Sequence, residues 1–386
     1  MKVFCRRKDL YEGVQTVGRV VSARSTLPIL SHILLQASED RLRLVATDFE
    51  IGMDVTVPAS VDVEGAVTVP ARLLIDILGS LPDTDVALSV DENNVIELKC
   101  LRSEYVLRGL PAQEFPKLPE VEDGRSVEVE QALLRQLINE TIFAVSTDET
   151  RALLTGALAV LGDGFIKMVA TDTHRLAVST MPAPTVVLGA GEEEEGPGFD
   201  SGVIVPARAL RELARVLDIE SGPKLQIHAT RNQILFRMEG MSLVSRLIDG
   251  QFPNFERVIP KECQKRLTLN TEELLAALRR AASILPRESA NRVVLRTVEG
   301  GLVDITAEAG EVGRAHEQIE ARHEGDAVEI AFNVRYMMDM LSITETESVV
   351  IELTGALNPG VMKPVFEGEV PDGRSYLYVL MPMAVQ

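Results

Sequence analysis

The stretch VTVPARLLIDIL at 67–78 returns as VIVPARALRELA at 203–214 and, more faintly, as IAFNVRYMMDML at 330–341. From Pro70 to Pro206 is 136 residues, and from Pro206 to Asn333 is 127. Recurrence at this distance describes one domain used three times. Internal symmetry of this kind points to a shape, because catalytic centres are seldom built in triplicate.

Other features recur in the same order. Thr47-Asp48 in LVATDFE (44–50) reappears as Thr171-Asp172 in MVATDTHRLAV (168–178), and Thr306 in LVDITAEAG (302–310) stands at the third position. Before each of these lies an apolar helix face with i, i+4, i+7, i+11 spacing. Its three copies are Leu10, Val14, Val17, Val21; then Leu134, Ile138, Thr141, Val145; then Leu274, Leu278, Ala281, Leu285. The first two units close on VLRGLPAQEFPKLP (106–119) and SRLIDGQFPNFERVIP (245–260), and the third ends the chain with YLYVLMPM (376–383).

Alternating apolar and polar residues over 31–48, 85–110 and 224–248, broken by Asp-Glu-Asn-Asn or Thr-Arg-Asn, predict antiparallel hairpins. Each unit therefore reads as helix, strands, second helix, strands: an α+β domain with two helices and about eight strands. Pro70 and Pro206 suit the first turn of the second helix, where no amide hydrogen is needed. Asn333 can cap the third copy through its side chain. Proline-rich linkers set the expected boundaries at 1–122, 123–260 and 261–386. A surplus in the second unit coincides with LGAGEEEEGPGFDSG (188–202), which reads as a solvated acidic loop.

Composition narrows the function. No apolar run approaches the ~20 residues that span a bilayer, and charge by residue 6 leaves no secretory signal core. Cys5, Cys100 and Cys263 lack metal-ligand or disulfide spacing, so a cytoplasmic chain without metal or cofactor is expected. His174, two residues after Asp172 and next to Arg175, raises the alternative of a hydrolase or transferase built on Asp172, His174 and Arg175. It has no nucleophile motif and no phosphate-binding glycine loop beside it, and the first copy carries Phe49-Glu50 in place of Thr173-His174. Asp48 and Asp172 read instead as turn residues that accept backbone hydrogen bonds. The net charge of −19 argues against DNA if spread evenly. Arginines, however, gather on the helices, with Arg72, Arg208 and Arg335 at matched stations.

Together VPAR before a helix, ATDxHRLAV, DGxFPxxxRVxP and the terminal YVxMPM resemble the bacterial DNA polymerase III beta subunits, the sliding clamps, over Met1 to Met383. The resemblance implies three clamp domains per protomer and a head-to-tail homodimer closed into a ring around duplex DNA, with no catalytic role. It implies DNA-facing positions at Arg24 and Arg72, joined by Arg151 and Arg257, beside the matched Arg208 and Arg335. It also implies a groove for short peptides of the replicative polymerase, the clamp loader and repair proteins. One subsite would use Leu154, Thr171, Thr173, His174, Arg175, Leu176, Pro253, Val258, Val379 and Met381. The neighbouring one would add Asn333, Tyr336, Leu357, Pro382 and Met383. Tyr105 and Leu107 would meet the Ile284–Leu285 region across the ring interface. This sequence departs from the family at Thr173, where glycine is common and a threonine would narrow the pocket floor. It departs again at Ala384, where a basic residue often stands, and at Asp148, Ala152 and Leu153 in a loop that touches DNA in some members.

Overall fold

The computed structural model describes all residues except 22–26, 120–124, 163, 184–186, 189–201, 219–221, 287–290, 311, 369–372 and 385–386. Arg24 and nearly all of the 188–202 loop thus lie outside the described residues.

Each repeated segment is a strand running straight into a helix. Strand Gly65–Pro70 leads into α2 (Ala71–Ser80), Val203–Pro206 into α4 (Ala207–Val216), and Glu329–Asn333 into α6 (Val334–Leu341). Pro70 stands just before the first turn rather than within it, at φ −56°, and closes the strand before the helix starts. Asn333 caps α6 as expected: its side chain accepts from the Arg335 amide at 2.9 Å. The first helices of the repeats are α1 (Arg7–Gly18), α3 (Gln131–Thr141) and α5 (Thr271–Ala282). Their spaced apolar residues are buried, including Leu10, Val14, Leu134, Ile138, Leu274 and Leu278. At the C-terminal end of the α1 pattern Val20, not Val21, is the buried residue. Helix α5 carries Glu272 and Glu273 in its first turn and Arg279 and Arg280 in its last, which complements its dipole.

Strands form sheets of five, nine and twelve among the described residues, and every pairing is antiparallel. The five-stranded sheet belongs to the first repeat alone. In the nine-stranded sheet, second-repeat strand Met241–Arg246 pairs with first-repeat strand Ile51–Pro58. In the twelve-stranded sheet, third-repeat strand Ser375–Leu380 pairs with second-repeat strand Arg175–Pro182. The repeats are joined by shared sheets, and the chain groups into two compact units. One is built mainly from Met1–Ala132 and Arg208–Leu247, the other from Leu133–Thr185 and Ile248–Gln386.

The threefold pattern persists at the closing segments. The amides of Leu110, Ile248 and Met383 donate to the carbonyls of Thr68, Ile204 and Ala331, each on the strand that leads into a second helix. It fails at Thr306. That residue lies mid-strand in Leu302–Ala309, opposite His316 in a long hairpin, and forms no turn.

Candidate functional site

The Thr-Asp motif folds into the same turn twice. In the first copy Thr47 Oγ1 donates to the Ile51 carbonyl at 2.9 Å and accepts from the Phe49 amide at 3.1 Å. Asp48 Oδ1 accepts from the amides of Glu50 and Ile51 at 3.0 and 2.9 Å. In the second copy Thr171 Oγ1 donates to the Arg175 carbonyl at 2.6 Å and accepts from the Thr173 amide at 3.2 Å. Asp172 Oδ1 there accepts from the amides of His174 and Arg175 at 2.9 and 3.0 Å. The third residue takes a positive φ in both, 74° at Phe49 and 79° at Thr173. A β-branched residue is strained in that region. Four side-chain bonds holding the turn explain how it is kept there.

This geometry does not favour the enzymatic alternative. Asp172 orients backbone amides and Arg175, and it does not hold the His174 ring. His174 is exposed at the tip, and its carbonyl accepts from the Met381 amide at 2.9 Å. Thr173 is also exposed, and its hydroxyl accepts from Arg151 at 3.0 Å. It thereby tethers that arginine.

Arg175 is the hub. Its guanidinium meets Asp172 at 2.9 Å, Asp339 at 2.5 Å and the Phe143 carbonyl at 2.6 Å. It also lies 4.2 Å from the Tyr336 ring centroid, a cation–π contact. Burial alone would lower its pKa, but the carboxylates of Asp339 and Asp172 work against that and hold it raised. Tyr378 is fully buried beneath and donates to the Tyr336 carbonyl at 3.1 Å. Sequence reasoning named Arg175 and Tyr336 but missed Phe143 and Asp339. The available signal for Asp339 was its place three residues after Tyr336 on α6, on the same helix side.

Around this hub the other expected groove residues divide by exposure. Leu176 pairs directly with Val379, and both belong to a buried apolar cluster against which Leu153, Phe252, Phe255 and Ile259 pack. Leu154 is buried as well. Pro253 and Val258 are exposed on the linker, and Leu357 is 79% exposed. Met381, Pro382 and Met383 are half-buried along a tail pinned at both ends, by His174 and by Ala331. Arg292 donates to the Ala384 carbonyl at 3.0 Å, so a guanidinium from a neighbouring strand stands where the sequence lacks a basic residue. A half-buried apolar strip beside a fixed turn and adaptable methionines suits short linear peptides.

Three domain families match in order: the DNA polymerase III beta subunit N-terminal domain at 1–119, central domain at 128–254 and C-terminal domain at 256–384. The chain belongs to the DNA polymerase III beta subunit family. It is 33% identical to the beta sliding clamp of Halalkalibacterium halodurans, covering 92% of this chain and 94% of that one. It is 34% identical to that of Staphylococcus epidermidis, over 94% and 96%. The DNA polymerase sliding clamp of Bacillus subtilis superposes with a TM-score of 0.89 at 29% identity, over the whole of both chains. The Pseudomonas aeruginosa sliding clamp bound to griselimycin does so with a TM-score of 0.89 at 32% identity, again over both chains in full. As a beta subunit the chain is a non-catalytic processivity factor of three repeated clamp domains.

In this beta subunit the five described members of the expected DNA-facing arginine set are not alike. Arg72 and Arg257 are exposed. Arg151 is tied to Asp148 at 3.1 Å as well as to Thr173. Arg208 forms an ion pair with Asp48 of the first turn and donates to the Val20 carbonyl at 3.1 Å. Arg335 is exposed on α6. Sequence reasoning missed Arg211 and Arg215, which with Arg208 form an exposed basic stripe at i, i+3, i+7 on α4. At the expected ring contact Leu107 and Leu285 are already buried within the protomer, and Tyr105 and Ile284 are half-buried. The apolar residue exposed on strand Ser103–Arg108 is Val106, at 64%. Among the described residues no helix is long and apolar enough to cross a membrane.

Proposed function

We propose that this beta subunit works in the cytoplasm as a dimeric ring that encircles duplex DNA, and that the strip around Arg175 is its peptide-docking groove. The groove reading is carried by one observation: the turn Thr171–Arg175 and α6 meet on a single guanidinium, and the tail Met381–Met383 is bonded to that same turn through the His174 carbonyl. Peptides of the polymerase, the clamp loader and repair proteins would lay apolar anchors against Leu176, Val379 and Met381.

Two open strand edges support closure by a second copy. Among the described residues, strand Ser103–Arg108 pairs only with Val95–Cys100, and residues 313–320 pair only with Leu302–Ala309. Unpaired edges of this length invite pairing, and a head-to-tail dimer would cover both. Arg72, Arg257 and the α4 stripe would supply weak phosphate contacts that position DNA without reading sequence. Holding would be topological, which accommodates a net charge of −19. Met381→Ala and His174→Ala should each weaken binding of a peptide from the polymerase C-terminus. Unchanged affinity in both would reject the groove assignment.

A further inference from the structure

The junction in the nine-stranded sheet repeats the frame of the docking groove with different side chains. The turn at Thr47–Ile51 has the same hydrogen bonds, and the Glu50 carbonyl accepts from the Arg246 amide at 2.9 Å, as the His174 carbonyl does from Met381. Gly52 pairs with Val244 where Leu176 pairs with Val379. A β-carbon at Gly52 would press on the side-chain ends of Leu118, from the Ala112–Pro119 linker, and of Val244. The linker's Leu118 thus lies directly over Gly52 and Val244.

Beside Leu118 the linker does not close the surface. A cleft of about 470 Å³ remains between it and the sheet, inside one compact unit. Its floor includes Leu34, Val45, Leu235 and Val244, on adjacent strands of one sheet face. Its charged groups are Arg43, Arg237, Lys117 and Asp54. Asp54 is taken by Arg43 at 2.7 Å. Arg237 and Lys117 are exposed, and among the described residues neither has an ion-pair partner. An apolar floor with two uncompensated cations is unusual on a chain of net charge −19.

We infer that this cleft is a second docking site, for a partner segment that presents an aliphatic or aromatic side chain flanked by carboxylates. The apolar side chain would lie on Val45, Leu235 and Val244, and the carboxylates would meet Arg237 and Lys117 at the rim. Charge complementarity selects that class, because a basic peptide would be repelled by the same rim. The inference borrows the frame of the docking groove but none of its residues, so its outcome is independent of Met381.

The chain has no tryptophan, so a peptide Glu-Glu-Leu-Trp-Glu-Glu reports its own binding through indole emission. The expected result is a saturable blue shift with the dimeric wild type, weakened about tenfold by Arg237→Glu with Lys117→Glu. Arg237→Gln alone should give an intermediate loss, Met381→Ala should leave the affinity unchanged, and the lysine analogue of the peptide should not bind. The inference is overturned by no saturable shift in the wild type, by equal affinity in the double variant, or by loss in Met381→Ala instead.

Discussion

The twin turns allow one substitution to be weighed against its internal control. Asp48→Ala and Asp172→Ala each remove a carboxylate that accepts from two backbone amides at 2.9 to 3.0 Å. At roughly 1.5 kcal/mol for each bond to a charged acceptor, the shared cost is about 3 kcal/mol. The arginine left behind makes the difference. Arg208 has 46% of its side chain exposed and is solvated when Asp48 is lost, which adds well under about 1 kcal/mol. Arg175 has only 10% exposed. Stranding a buried charge costs about 3–5 kcal/mol, but Asp339 and the Phe143 carbonyl remain, so about 2 kcal/mol is expected. Asp172→Ala should therefore open its turn about 5 kcal/mol more easily and Asp48→Ala about 3. The turns lie in different compact units, so global unfolding is the wrong readout. Native-state hydrogen exchange at the amides of Glu50, Ile51, His174 and Arg175 separates them. Equal loss of protection in the two variants, or a larger loss around Asp48, would refute the hub role given to Arg175.

Three further outcomes follow from groups outside the groove. Glu140 is buried, accepts from Ser179 Oγ and Gln136 Nε2, and lies 3.5 Å from Arg374. Burial raises its pKa above the ordinary 4.5 despite those partners. The folded state therefore holds a proton that the unfolded state has released, and the group's contribution is full below 4.5 and lost as pH rises through the folded value. Glu140→Gln should gain stability over the wild type in denaturant titrations as pH rises from acid to neutral; a constant gap would contradict this. The Cys5 thiol is pushed up to about 12 by burial, with Asp9 and Asp85 adding to it, while Cys263 is only half-buried. Under native conditions an alkylating reagent should label Cys263 and spare Cys5, as read by peptide mass, and rapid labelling of Cys5 would show that its strand opens. Val106→Glu places a charge on the open edge of Ser103–Arg108, where pairing would bury about 1 to 2 kcal/mol of valine surface. Sedimentation should show the wild type near twice 42.2 kDa and the variant shifted to monomer, whereas a wild-type monomer at micromolar concentration would contradict ring closure.

The fold was largely legible because its signals are local and repeated. Strand-into-helix junctions at Pro70, Pro206 and Asn333 and hairpins around Asp91 and Arg231 depend on neighbouring residues alone. The Asp48 and Asp172 turns were legible for the same reason. Less visible was what depends on non-local pairing. Asp339 meets Arg175 across 164 positions and Arg208 meets Asp48 across 160, and no periodicity reports such contacts. The division into two compact units was hidden likewise, since it arises where strands of different repeats bond. Thr306 shows the opposite failure: a matching letter without the following aspartate that would accept the amides of a turn.

The central claim is that this beta subunit holds DNA by encircling it. It is tested most directly by loading the protein onto nicked circular duplex DNA, removing free protein, and measuring retention before and after the circle is cut once. Topological holding predicts long retention on the circle and rapid loss through the ends once the DNA is linear, with little dependence on any single arginine. Equal retention on circular and linear DNA would contradict it.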